Sequence, residues 1–210
     1  MNWRSETDEV IQKQNYHKLQ QILQEEPQNN ISFSEVIREQ YRCYLKGILA
    51  EQLEKNSNKA CEYYEKALCA TCAFLLEEDT GGRLSGSELS IYAVYLSCRV
   101  KQEPELSARY ADSLYQIMQQ IEKDWNEPEE LVKIYPKLVC VWAHFEGESA
   151  DWEQQEQMLE RAYALLRAER RFYHVPEILR LLLQCKKRLG KEEKDYRRAG
   201  KLFQNRDRKT

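Results

Sequence analysis

The 210-residue sequence predicts an all-α fold, a right-handed superhelical solenoid of about nine antiparallel helices. Three observations carry that expectation. Glycine and proline are scarce, 7 and 5 residues, in a chain rich in Glu, Gln, Leu, Lys and Arg, which is the composition of long helices. Apolar residues recur at helical spacing over nearly the whole length, with no convincing alternating strand. A pattern of one small residue and one tyrosine returns at intervals of about fifty residues, as internal repeats do.

The first helix is expected over residues 8–25, where Val10, Ile11, Leu19, Ile22 and Leu23 lie near one face and Pro27 ends the run. A second runs from about Phe33 to Lys55. Its start, Ile31-Ser32-Phe33-Ser34-Glu35-Val36, reads as a capping box of Ser32 with Glu35, and Ile31 and Val36 are spaced as a hydrophobic staple. The same device returns as Leu84-Ser85-Gly86-Ser87-Glu88-Leu89, fifty-three positions later. Further helices follow at about 57–78, 86–102, 104–124, 127–147, 151–171, 175–190 and 191–204. Pro104 and Pro128 suit first turns, whereas Pro136 falls inside a helix and should kink it or mark a broken first turn. Gly81-Gly82-Arg83-Leu84-Ser85-Gly86-Ser87 has phosphate-loop glycine spacing but lacks the lysine and a preceding strand, so it reads as a turn.

The repeat is legible in three of these helices. Ala60, Tyr64 and Ala67 stand at i, i+4, i+7; Ala111, Tyr115 and Met118 repeat the spacing, as do Leu159, Tyr163 and Leu166. The tyrosines are 51 and 48 residues apart and are expected to be buried at equivalent positions. Gly47 supplies a small residue in the preceding helix, where a partner ring needs room. Residues 1–7 then form an N-terminal extension, 8–204 the repeat domain and 205–210 a basic tail.

Charge is unevenly divided. Residues 1–160 hold 16 Lys and Arg against 29 Asp and Glu, a balance of −13, while residues 161–210 hold 16 against 6, a balance of +10. A basic end of this kind suits either a polyanionic partner or docking onto the chain's own acidic part. The apolar run Ala67–Leu76 contains Thr71 and is too short to span a bilayer, and no secretory signal opens the chain, so a cytoplasmic protein without membrane contact is expected. Seven cysteines, an odd number, lie mostly in apolar stripes and read as small buried hydrophobes in a reducing compartment. Cys69-Ala-Thr-Cys72 has no second pair and no nearby histidine; zinc, a disulfide and any cofactor are not expected, and both cysteines should pack inward. His17, His144 and His174 form no ligand motif, no nucleophile motif occurs, and the paired carboxylates lie on charged faces. No enzymatic activity is expected.

Stretches from Asn15-Tyr16-His17-Lys18-Leu19 through Tyr44-Leu45-Lys46-Gly47-Ile48 to Ala60–Leu68 resemble the start of a tetratricopeptide region. With Leu84–Leu89, Ile134-Tyr135-Pro136-Lys137-Leu138 and Tyr173–Gly190, the chain is similar over residues 10–204 to the sensor region of Firmicute helix-turn-helix regulators of the RNPP and Rgg-like pheromone-receptor type. That resemblance implies a ligand-sensing and dimerising part of a bacterial transcription regulator, whose DNA-binding helix-turn-helix block has no counterpart here. A stand-alone scaffold of the Rap type, acting on protein partners, is the alternative, and a DNA-associated protein using its basic tail is a further one. The chain also departs from the pattern in having no obvious Asn at the positions that grip a peptide backbone.

In such an array the first helix of each pair lines the concave face. Its candidate ligand-binding residues are Arg38, Arg42 and Lys46 in the second helix; Tyr92, Tyr95 and Arg99 in the fourth; Lys133, Lys137 and His144, with Cys140, in the sixth; and Arg180 and Gln184, with Lys187, in the eighth. Cationic and aromatic groups there would take a short peptide by its C-terminal carboxylate or acidic side chains, with Arg42, Tyr95, Lys137 and Arg180 converging on it. Ordinary helix solvation would give the same pattern. The expected partners are a short peptide or protein and a second copy of the chain, without direct nucleic-acid binding.

Overall fold

A computed structural model describes residues 3–25, 34–77, 84–125, 128–146 and 151–191. Among these residues the chain is all-helical and contains no strand. It divides into two compact units, residues 1–104 and 105–210.

In the first unit the helices are α1 (Trp3–Gln12), α2 (Tyr16–Gln24), α3 (Glu35–Gln52), α4 (Ser57–Thr71) and α5 (Gly86–Gln102), with a 3-10 turn at Ala73–Glu77. Each α-helix packs on its neighbour in sequence. The single helix expected over 8–25 is two helices, and the first begins at Trp3, within the stretch read as an extension. The break has a local cause. Gln14 adopts a left-handed φ of 54°, and its N–H and that of Asn15 turn back to the carbonyls of Ile11 and Val10, closing α1 as a Schellman turn. Asn15 then caps α2 by accepting from the Lys18 N–H at 3.2 Å. Thr7, fully buried, bonds the Tyr41 hydroxyl at 2.7 Å, and Tyr41 donates to Asp8 at 2.7 Å, which ties α1 to α3.

The start of α3 differs from expectation. Ser34 caps it through the Ile37 N–H at 3.4 Å, and Val36 is exposed. Ser32 and Ile31, the expected cap and staple, lie outside the described residues. At α5 the capping box forms as read: Ser85 Oγ accepts from the Glu88 N–H, and the Glu88 carboxylate accepts from the Ser85 N–H at 2.7 Å. Gly47 sits against the Tyr64 ring so closely that a β-carbon there would stand 2.6 Å from Cδ1 and 2.9 Å from Cζ. Tyr64 is fully buried in that space and donates to Glu51 at 3.3 Å, while Lys101 reaches the same carboxylate at 2.7 Å. Cys72 is buried, but Cys69 is exposed, because α4 ends at Thr71 and turns the two cysteines to different surroundings.

A 3-10 turn, Pro104–Leu106, spans the division, and the second unit holds helices α6 (Ser107–Asp124), α7 (Pro128–Glu146), α8 (Trp152–Ala168) and α9 (Val175–Arg188). Again each helix packs on the next, and α7 also packs on α9. Between α7, α8 and α9 the core is apolar, with Leu138, Trp142, Leu159, Ala162, Ile178 and Leu182 buried. Gln155 is buried there with both ends satisfied: its amide donates to the Ala143 carbonyl at 3.1 Å, and Cys185 Sγ donates to its oxygen at 2.9 Å. Glu156, also buried, takes the ammonium groups of Lys186, at 2.5 Å, and Lys191. These two lysines belong to the basic end of the chain, and here they are held by its acidic part. Tyr115 and Tyr163 are only half-buried, unlike Tyr64. Tyr115 stacks on Trp142 with ring centroids 5.9 Å apart, and Tyr163 lies under the Arg167 guanidinium. The helix expected over 191–204 falls outside the described residues, apart from Lys191.

Candidate functional site

The second unit brings together two of the residues picked from the sequence, His144 and Arg180. Helix α7 turns Leu131, Val132, Ile134, Tyr135, Leu138, Val139 and Trp142 into the core, which leaves Lys133, Lys137, Cys140 and His144 along another strip. Lys133 and His144 are exposed, Lys137 is half-buried and Cys140 is buried. Helix α9 buries Ile178, Leu179, Leu181, Leu182 and Cys185 and turns Arg180 and Gln184 outward.

Glu177, one turn before Arg180, is the group on which His144 and Arg180 converge. The Arg180 guanidinium grips it as a fork, with Nε to Oε2 at 3.1 Å and a terminal nitrogen to Oε1 at 2.8 Å. His144 Nε2, coming from α7, lies 2.7 Å from the same Oε1; facing a carboxylate, that nitrogen is the donor. The guanidinium beside it, helped by His144, holds the Glu177 carboxyl below the usual carboxylate range. Burial pushes the Cys140 thiol up to about 12, with Glu177 adding to the shift and Arg180 opposing it. Burial brings the Lys137 ammonium down to about 8. His174, at the N-cap of α9, is held down at about 4, first by burial and then by the positive charge of Lys137. The cluster therefore pairs α7 groups with α9 groups around one carboxylate.

A proline fixes the segment that carries His174. Pro136 lies inside continuous α7 and has no N–H, so the carbonyl four residues earlier, Val132, has no helical donor. The Tyr173 hydroxyl supplies one, donating to the Val132 oxygen at 2.7 Å. The turn before α9 is thus tied to α7, and His174 follows in a left-handed conformation with φ 60°. Sequence reasoning passed over Glu177, His174 and Tyr173. Glu177 was findable from its i,i+3 spacing to Arg180; Tyr173 was findable only by asking what satisfies the carbonyl that Pro136 deprives of its donor.

In the first unit the picked residues have other settings. Arg42 pairs with Glu39 at 2.7 Å, and Arg38 is half-buried. Lys46 and Lys66 stand 5.9 and 5.6 Å from the centroid of the Tyr63 ring. Arg99 reaches both carboxylate oxygens of Glu103, at 2.7 and 2.9 Å. Tyr92 and Tyr95 do not stand on an outward face. Tyr92 is fully buried and Tyr95 nearly so, stacked with centroids 6.5 Å apart. The reason is that α5 buries most of its circumference, and Tyr92 shares a face with the buried Leu89 and Leu96. Tyr92 and Tyr95 are packing residues.

Among the described residues no group of three or more His, Cys, Asp or Glu side chains could hold a metal ion, and no helix is long and apolar enough to cross a membrane. No family model, no curated protein and no solved structure matches the chain.

Proposed function

We propose that the chain is a non-enzymatic, tetratricopeptide-like peptide-binding domain, the ligand-sensing and dimerising part of a bacterial transcription regulator, and that its recognition surface is the α7–α9 face of the second unit. One observation carries this reading: donors from two helices that are not neighbours in sequence, His144 and Arg180, meet on one carboxylate at the surface. A fork of guanidinium nitrogens with a third donor is the arrangement that takes a carboxylate of a peptide. Packing of α7 on α9 across α8 supports a repeat in which alternate helices share a face. Uptake of Lys186 and Lys191 by Glu156 weighs against the basic end as the recognition element, since two of its charges are already paired within the chain.

The test is to pass a pool of random heptapeptides with free C-termini over the intact chain and identify those retained. Enrichment of peptides bearing acidic side chains, or dependent on the free terminal carboxylate, is the expected outcome. Retention of none, or only of basic peptides, contradicts the reading.

A further inference from the structure

We infer that the carboxylate receptor on α7 and α9 is self-occupied, with Glu177 seated where a ligand carboxylate binds, so that ligand enters by displacing it. This rests on the peptide-binding reading above and adds the regulation of that same surface. An i,i+3 pair of Glu177 with Arg180 would by itself be ordinary helix decoration. Two features make it more than that. Arg180 grips Glu177 side-on, Nε on one oxygen and a terminal nitrogen on the other, and His144 arrives from a different helix on Oε1. Three donors thus surround a single carboxylate in a fixed frame, because Tyr173 ties the start of α9 to Val132 of α7. The second feature is exposure: the side chains of His144, Arg180 and Glu177 are 50%, 54% and 36% exposed. A carboxylate from outside can therefore reach the same donors once the Glu177 side chain rotates away. The desolvation cost of a carboxylate is met by the same three hydrogen bonds whether the oxygen belongs to Glu177 or to a ligand. The tethered carboxylate loses no translational freedom on seating, so it competes well with a free one and sets the threshold for binding. A receptor occupied internally nine-tenths of the time binds about tenfold more weakly than an empty one.

The experiment titrates the full chain with sodium acetate at constant ionic strength, balanced with sodium chloride, and follows the ring resonances of His144, identified by their loss in His144→Gln. Glu177→Ala should respond saturably with an apparent Kd about tenfold below that of the parent chain, and the further change Arg180→Ala should remove the response. Glu177→Gln, which keeps the shape of the side chain without its charge, should fall between the two, and it carries the test if the alanine variant loses helical circular dichroism. An acetate response no tighter in either variant than in the parent chain, or none at all, overturns the inference. Failure of the peptide reading looks different: acetate then binds Glu177→Ala tightly while no peptide from the pool is retained by parent or variant. Comparing free-acid and amidated forms of a retained peptide separates a terminal carboxylate from an acidic side chain.

Discussion

Gly47 and His174 show how single side chains decide local energetics. In an open helix position, replacing glycine by alanine adds about 1 kcal/mol of stability. At Gly47 the sign reverses, because a β-carbon would meet the ring of a fully buried Tyr64, and overpacking of this kind costs about 1–3 kcal/mol. Urea unfolding should show Gly47→Ala less stable than the parent chain, with a second change, Tyr64→Leu, making the added methyl less costly. A Gly47→Ala chain as stable as the parent would mean that the ring has room to move. At His174 the effect is on pH. Its imidazole is held at about 4 against 6.5 when unfolded, so the unfolded chain takes up the proton first. Stability from this group is complete above pH 6.5 and is lost as the pH falls towards 4, by up to about 3 kcal/mol. His174→Asn, which suits the left-handed backbone, should flatten the stability–pH curve between 6.5 and 4.5. An unchanged slope would mean that the imidazole is already protonated in the folded chain. The glycine and the tyrosine were legible in sequence as a small residue and an aromatic at helical spacing. The histidine's role was not, since it comes from burial beside Lys137, thirty-seven positions away.

Most of the helices follow from local signals, whereas their exact ends follow from chemistry that is only partly local. The capping box at Ser85 and Glu88 and the proline at the start of α7 act over three or four residues and could be read directly. The break between α1 and α2 could not, because it depends on a glutamine accepting a left-handed φ, as Arg170 also does after α8. The outward face assigned to Tyr92 and Tyr95 failed for a different reason. Periodicity states which residues share a face, but α5 buries residues around most of its circumference and so has no single apolar stripe. Pro136 illustrates coupling between elements. Tyr173→Phe should cost about 1 kcal/mol, since the Val132 carbonyl loses its donor. In a Pro136→Ala background an alanine N–H can serve that carbonyl, so the same tyrosine change should cost much less. A double-mutant cycle by thermal unfolding measures this coupling, and additive costs would contradict it.

The whole chain is acidic to residue 160 and basic beyond it, and the structure connects the two through Glu156, Lys186 and Lys191. The all-helical class was open to inspection in the composition. The division into units at residue 104 was not, because nothing in the spacing of the helices marks that position. The candidate site was half legible: the cations could be picked from helix faces, but the carboxylate they surround gains its meaning only from the packing of α7 on α9. The most direct measurement takes a peptide retained from the pool and compares its affinity for three full-length or near full-length chains. These are the parent, the Lys137→Ala, Arg180→Ala double variant, and a chain ending at Lys191, which keeps the pair with Glu156. Binding that falls at least tenfold in the double variant and persists in the shortened chain is the predicted result. Binding that survives in the double variant and disappears on shortening would contradict recognition by the α7–α9 face.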